Sequence, residues 1–112
     1  MNDHPTAINQ VNEIFDLITE ALRDTVANQI IDELLTIAKA GDQTSALKLG
    51  KTYNDLLVAP DYQSAYGWLS IAQAYGLESA SELLSQVADE LTLEEILVQQ
   101  EKASTTFSEI NS

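Results

Sequence analysis

Residues able to do chemistry are few in this chain. His4 is the only histidine and there is no cysteine, so thiolate metal sites and disulfides are excluded. The serines have no histidine base within reach, and nucleophilic hydrolysis therefore lacks its activator. The default interpretation of His4 is a solvated residue near the amino terminus. These residue types predict neither a metal site nor a nucleophilic active site.

Carboxylates are abundant, but their spacing does not favour acid–base catalysis. Three pairs are adjacent in sequence: Asp32-Glu33, Asp89-Glu90 and Glu94-Glu95. Neighbouring side chains diverge on a helix, whereas acid–base catalysis needs carboxylates that face each other across a pocket. No glycine-rich phosphate loop or calcium-loop spacing occurs either. We therefore predict a protein that is not an enzyme and uses no cofactor.

Composition narrows the possible partners. The 112 residues include 18 acids and five bases, giving a net charge of −13, so contacts to phosphates, which need Lys or Arg, are disfavoured. We expect no binding to nucleic acid or membrane. The amino terminus has no secretory-signal pattern, and a cytoplasmic location is the resulting expectation. Two interpretations of the acidity stay open: a solubilising surface, or steering toward a basic partner protein.

Apolar residues recur at helical spacing along nearly the whole chain. The sequence predicts one all-α domain, 1–112, of about six antiparallel helices, with flexible termini at 1–7 and 104–112. Gly41 and Gly76 are expected to end helices, Asp61 to cap one, and Thr92 with Glu95 to form a capping box. The predicted helices cover residues 8–22, 27–40, 44–53, 61–75, 78–90 and a sixth segment that opens at 92.

Two segments of the chain are similar to each other. Residues 35–50 and 69–84 are identical at seven of 16 aligned positions, where about one or two are expected for this composition. Each copy reads as a helix, a tight turn and a second helix. Because such a pair cannot cover both of its faces alone, it stacks on a neighbour. The first and sixth helices are then predicted to cap the two ends.

Residues 46–80 resemble the Sel1-like repeat, a relative of the tetratricopeptide repeat. The resemblance implies a short α-α superhelix of two repeats between capping helices, whose concave groove binds a partner protein. The motif residues would be structural. They are Ala46, Leu49, Gly50, Tyr53, Asp61, Ala65, Trp68, Ala72, Gly76 and Ala80.

Tyr66 is the best single candidate for a binding residue. It lies two positions before Trp68, about 200° around a helix, and is therefore expected to point away from the core. It would be either an aromatic anchor for a partner or a surface tyrosine without a role. The other candidates share its stripe or occupy the same offsets in the first copy. They are Gln63, Ser70, Gln73, Asp32, Thr36 and Lys39.

The first predicted helix carries its own apolar stripe, which leaves two alternatives open. The stripe either docks on the second helix of the same chain or pairs with its twin in a second chain, so the protein is a monomer or a weak dimer. The stripe consists of Ile8, Val11, Phe15, Ile18 and Leu22.

The sequence favours a non-catalytic protein–protein interaction module that binds a partner in its groove. The alternative is an acidic immunity- or antitoxin-type inhibitor of one toxic effector, because small size and strong negative charge suit fast association with a basic surface.

Overall fold

The computed structural model describes the backbone of residues 3–112 and the side chains from residue 9 onward. Within this part the chain forms helices and turns and no strand, which confirms the all-α prediction. The five α-helices are α1 (Asp3–Lys39), α2 (Gln43–Lys51), α3 (Tyr62–Ala74), α4 (Ser79–Ala88) and α5 (Leu93–Ile110), and a π-helical turn (Thr52–Leu56) extends α2.

The first two predicted helices, 8–22 and 27–40, are a single helix. α1 runs without interruption for 37 residues, so the prediction of a break near residue 24 is wrong. The reason is local: between Thr6 and Ala40 the sequence contains neither proline nor glycine, and nothing else there ends a helix. α1 also begins at Asp3, inside the segment 1–7 that was predicted to be flexible.

Glycine turns and side-chain caps set four helix boundaries as predicted. Gly41 and Gly76 have φ of 105° and 89°, the left-handed region that glycine adopts without strain. The Asp61 carboxylate accepts a hydrogen bond of 3.1 Å from the Ser64 amide at the start of α3. Thr92 and Glu95 form the reciprocal capping box that opens α5. The sequence predicts these boundaries because each depends on residues that are close together in the chain.

The loop between α2 and α3 is held against the middle of α1. The Arg23 guanidinium donates hydrogen bonds to the carbonyl oxygens of Leu56, at 2.7 Å, and Asp55, at 2.9 Å. The amide of Val58 donates to the Asp24 carboxylate at 2.9 Å. Arg23 and Asp24 are therefore the point at which α1 leaves the packed part of the protein.

The core lies where α2 and α3 pack together, with α1, α4 and α5 around them. Gly50 brings the two helix axes close, because a Cβ at that position would lie 2.5 Å from the Leu69 side chain. Tyr53 and Trp68 are partly buried, and Gly76 lies in an exposed turn. Asp61 is partly buried, and the remaining motif residues are buried: Ala46, Leu49, Gly50, Ala65, Ala72 and Ala80.

α5 crosses α3 and remains helical almost to the end of the chain. The Phe107 ring packs on Tyr75 with 5.0 Å between ring centroids, and α5 ends at Ile110. The prediction of a flexible segment over 104–112 is therefore wrong for residues 104–110. The contact between the Phe107 and Tyr75 rings stabilises this part of α5, although its sequence is mostly polar.

The amino-terminal half of α1 projects from the rest of the molecule. The radius of gyration is 17.9 Å and the principal extents are 68 × 29 × 21 Å, whereas a compact chain of this length has a radius of about 13 Å. Phe15 and Leu22 are 68% and 61% exposed, so the alternative in which this stripe docks on the same chain is wrong for the described residues. The Ile8 side chain lies outside them. None of the described helices is long and apolar enough to cross a bilayer.

Candidate partner-binding trough

Adjoining open hollows form a shallow depression along one side of α5. Three adjoining hollows of about 230, 520 and 380 Å³ share Thr106 as a lining residue. We call this depression the α5 trough. It is lined by Ser64, Gly67, Trp68 and Ile71 of α3, by Val98, Gln99, Lys102, Ala103, Thr105, Thr106, Glu109 and Ile110 of α5, with Glu101 beside them, and by Lys39 of α1.

Helical spacing creates the α5 wall of the trough. Gln99, Lys102, Thr106 and Glu109 follow one another at intervals of three, four and three residues, which places them on one face of the helix. From first to last they span about 15 Å at 1.5 Å per residue. That length accommodates about three turns of a partner helix, or a short extended segment.

Trp68 gives the trough an aromatic floor. It is partly buried and packs against the apolar residues of α1 and α3, while part of it lines the 230 Å³ hollow. An indole at the base of a groove offers an apolar contact to a partner. Because Trp68 is the only tryptophan, its fluorescence reports on this place alone.

The walls carry charges of both signs. Lys39 and Lys102 are two of only five basic residues in the chain, and they lie with Glu101 and Glu109 along the same depression. A partner segment in the trough would therefore meet alternating charges, while the surface beyond it is predominantly acidic. Mixed charges of this kind select register and orientation more than they add affinity.

Tyr66 does not lie on an exposed surface. It is 8% exposed, and its hydroxyl accepts a hydrogen bond of 3.2 Å from the Gln100 amide of α5. The prediction of an exposed Tyr66 is therefore wrong. Its angular position on α3 was inferred correctly as lying away from Trp68, but α5 covers that side of the helix as well.

The other candidates from α3 are engaged within the protein. The Gln63 amide donates to the Glu95 carboxylate at 2.8 Å, and the Gln73 amide donates to the Ser81 hydroxyl at 3.0 Å. The Ser70 hydroxyl donates to the Tyr66 carbonyl oxygen at 2.8 Å. Tyr66, Ser70 and Gln73 line a separate hollow of about 280 Å³ on the other side of α5. Gln63 and Gln73 stay exposed while they make these bonds, and the Ser70 bond lies within α3.

The candidates from α1 remain exposed. Asp32, Thr36 and Lys39 share a face of the helix at helical spacing and are all solvent-accessible. Of these, Lys39 lines the α5 trough together with Thr106 and Glu109. The structure therefore brings one of the seven predicted binding residues into the trough.

Sequence reasoning missed the α5 wall. The signal was present, since Gln99, Lys102, Thr106 and Glu109 recur at helical spacing. It was overlooked because these residues are polar and residues 104–112 were expected to be flexible. A polar stripe on a helix can face open solvent or line a groove, and the sequence does not separate these two cases. Only the packing of α5 on α3 shows that this stripe lines a groove.

Three ionisable groups among the described side chains have shifted pKa values. Burial raises the pKa of Tyr53, and the nearby carboxylates of Asp61 and Asp32 add to the rise. Hydrogen bonds from the Thr92 backbone and side chain, with a smaller one from Gln63, lower the pKa of Glu95. Bonds from the Ser45 hydroxyl and amide lower the pKa of Asp42. The Glu95 and Asp42 shifts accompany helix caps, so we ascribe them to structure.

Comparison with known proteins found no matching family model, no similar curated protein and no similar solved structure. The resemblance to the Sel1-like repeat therefore stays a prediction. Among the described residues, no three His, Asp or Glu side chains converge as a metal site would require.

Proposed function

We propose that this protein is a non-catalytic interaction module that holds a segment of another protein in the α5 trough. The observation that supports it best is the trough itself: a depression along about three helical turns of α5, with the partly exposed Trp68 at its base. Concave sites with an apolar floor and a few polar groups are the usual form of binding sites. The Sel1-like resemblance of residues 46–80 is consistent with this proposal, because that family uses concave surfaces.

The proposed partner carries basic residues around the segment that enters the trough. A net charge of −13 attracts a cationic protein and speeds its association. Glu101 and Glu109 on α5 would meet those basic residues, while Lys39 and Lys102 would contact carboxylate or carbonyl oxygens of the inserted segment. Weaker association at high salt is therefore expected.

A blocking substitution tests the trough. Thr106 lines all three hollows, so Thr106→Tyr would fill the trough at its middle. The matched control is Ser108→Tyr, because Ser108 is exposed on the same helix and lines none of these hollows. Both variants add the same ring to α5.

The assay is capture of partners from a lysate of the native source, followed by titration of the captured protein while Trp68 fluorescence is recorded. We expect Thr106→Tyr to weaken binding at least tenfold, a loss of about 1.4 kcal/mol or more. Ser108→Tyr should bind like the wild type. Equal binding by the two variants, or binding that leaves Trp68 fluorescence unchanged, would contradict the assignment of the trough.

A second candidate function is inhibition of one toxic effector protein, and the strong acidity of a small chain favours it. An inhibitor of this kind would bind a single basic target tightly, with association that slows steeply as salt is added. An adaptor would bind with moderate affinity and a shallower dependence on salt. Measuring the association rate of the captured partner at several salt concentrations separates these two functions.

A further inference from the structure

The amino-terminal half of α1 presents an uncovered apolar face. Val11, Phe15, Ile18 and Leu22 recur at intervals of four, three and four residues and are 54–68% exposed. We call these four residues the α1 seam. Ile14, 58% exposed, and Val26, 50% exposed, widen it on its two sides. Such spacing is that of a helix which pairs with another helix.

The protein cannot cover the α1 seam with its own domain. Leu22 precedes the buried Ile31 by nine residues, about two and a half helical turns. The seam therefore points to the side of α1 opposite the one that packs on α2. Because α1 is a single uninterrupted helix, the seam cannot fold back. The seam is therefore open to a second molecule on the side away from the packed helices.

Charged residues are kept away from the α1 seam. The positions that flank it are uncharged: Asn12, Ile14, Thr19, Ala21 and Val26. All the charges of this segment fall at the remaining helical positions, at least a quarter turn from the centre of the seam. They are Glu13, Asp16, Glu20, Arg23 and Asp24.

This distribution of charges indicates which kind of helix the α1 seam can bind. A basic helix would find no carboxylates beside the seam to pair with, although the chain has 18 acids. A second copy, which is itself acidic, could approach without like charges meeting at the flanking positions, where such pairs would oppose association. The seam is thus suited to a copy of the same chain.

The area is sufficient for a stable pair. The six apolar side chains of the seam and its edges are half to two-thirds exposed, and each contributes on the order of 100 Å². Two copies would then bury about 1,200 Å² in these side chains alone, the lower end of specific protein interfaces. The patch on one copy, about 600 Å², lies at the upper end of the range for monomeric proteins, where such patches are often functional.

We propose that the α1 seam pairs with the same seam of a second copy, forming a two-helix coiled coil with the packed helices on its outer sides. Association would be independent of the α5 trough, which lies beyond the part of α1 that pairs. Failure of one proposal would therefore leave the other standing.

Adjacent residues on α1 provide a matched test. Ile18→Glu places a carboxylate in the seam, whereas Leu17→Glu makes the same kind of change at an exposed residue on another face of the helix; the wild-type side chains are 54% and 65% exposed. The measurement is molar mass by sedimentation equilibrium from about 1 to 100 µM, a range that covers typical dimer affinities. Far-UV circular dichroism confirms that each variant is folded.

We expect the wild type and Leu17→Glu to be dimeric in the upper part of this concentration range. Ile18→Glu should be monomeric there, with a dimer dissociation constant raised on the order of 100-fold or more. The melting temperature of the wild type should rise with protein concentration, and that of Ile18→Glu should not. A wild-type chain that is monomeric at about 100 µM would overturn the proposal. Equal dissociation of the two variants would overturn it as well.

Discussion

Replacing Gly50 by alanine tests the closest helix contact in the core. A Cβ built on Gly50 lies 2.5 Å from both Cγ and Cδ2 of Leu69, and 3.3 Å from the Leu69 amide nitrogen. Carbon atoms normally approach to about 3.5–4.0 Å, so α2 and α3 must separate by about 1 Å or Leu69 must change its rotamer. Leu69 is fully buried, and in a close-packed core its neighbours would have to move with it.

The size of the effect follows from two opposing terms. Overpacking a tight core costs about 1–3 kcal/mol, while alanine is a better helix former than glycine by about 1 kcal/mol. Because the clash involves a fully buried side chain with backbone directly behind it, we place the overpacking cost in the upper half of that range. Gly50→Ala should then lower the free energy of unfolding by about 1–2 kcal/mol.

Gly67→Ala is the matched control. Gly67 is also a buried helical glycine, but its Cβ would meet only the Gln99 Oε1 atom, at 3.1 Å, and that side chain can shift by a few tenths of an ångström. The same gain in helix propensity should leave Gly67→Ala as stable as the wild type, or more stable by up to about 1 kcal/mol.

Urea unfolding, followed by circular dichroism and by the fluorescence of Trp68, measures both variants. In thermal unfolding, a decrease of 1–2 kcal/mol in the free energy of unfolding would lower the melting temperature by about 4–8 °C. Adding Leu69→Ala should remove the clash, so Gly50→Ala should cost nothing in that background, and the double-mutant cycle should show coupling of at least about 1 kcal/mol. If Gly50→Ala is as stable as Gly67→Ala and shows no coupling to Leu69, the reasoning is wrong.

Two further predictions concern α5. Tyr66→Ala should lower the free energy of unfolding by about 3–5 kcal/mol because the ring is buried. Tyr66→Phe should lower it by only about 1 kcal/mol, because only the hydrogen bond from Gln100 is lost. Equal, small losses for the two variants in urea unfolding would show that α5 does not cover α3. The lowered pKa of Glu95 means that its stabilisation is present above the ordinary carboxyl pKa and is lost as pH falls through the lowered value. The stability of Glu95→Gln should therefore decline less than that of the wild type on acidification. Melting temperatures that fall equally for the variant and the wild type between about pH 7 and pH 3 would refute this.

The sequence predicted the α-helical class and most helix boundaries because their causes are local. Gly41 and Gly76 end helices at positive φ, and Asp61 and Thr92 cap the helices that follow. Gly50, which lies at the crossing of α2 and α3, was also named as a structural residue of the Sel1-like motif. In each case the relevant partner lies within a few residues or within a repeated motif.

Tertiary structure alone decided which faces are covered. Periodicity places Tyr66 opposite Trp68 on α3, but it does not say that α5 covers the side of α3 that carries Tyr66. The prediction of an exposed Tyr66 therefore failed. Similarly, the stripe containing Phe15 and Leu22 is visible in the sequence. The uninterrupted course of α1 turns that stripe away from the core. Side-chain spacing determines which residues share a face, whereas the long-range packing free energy determines what lies against it.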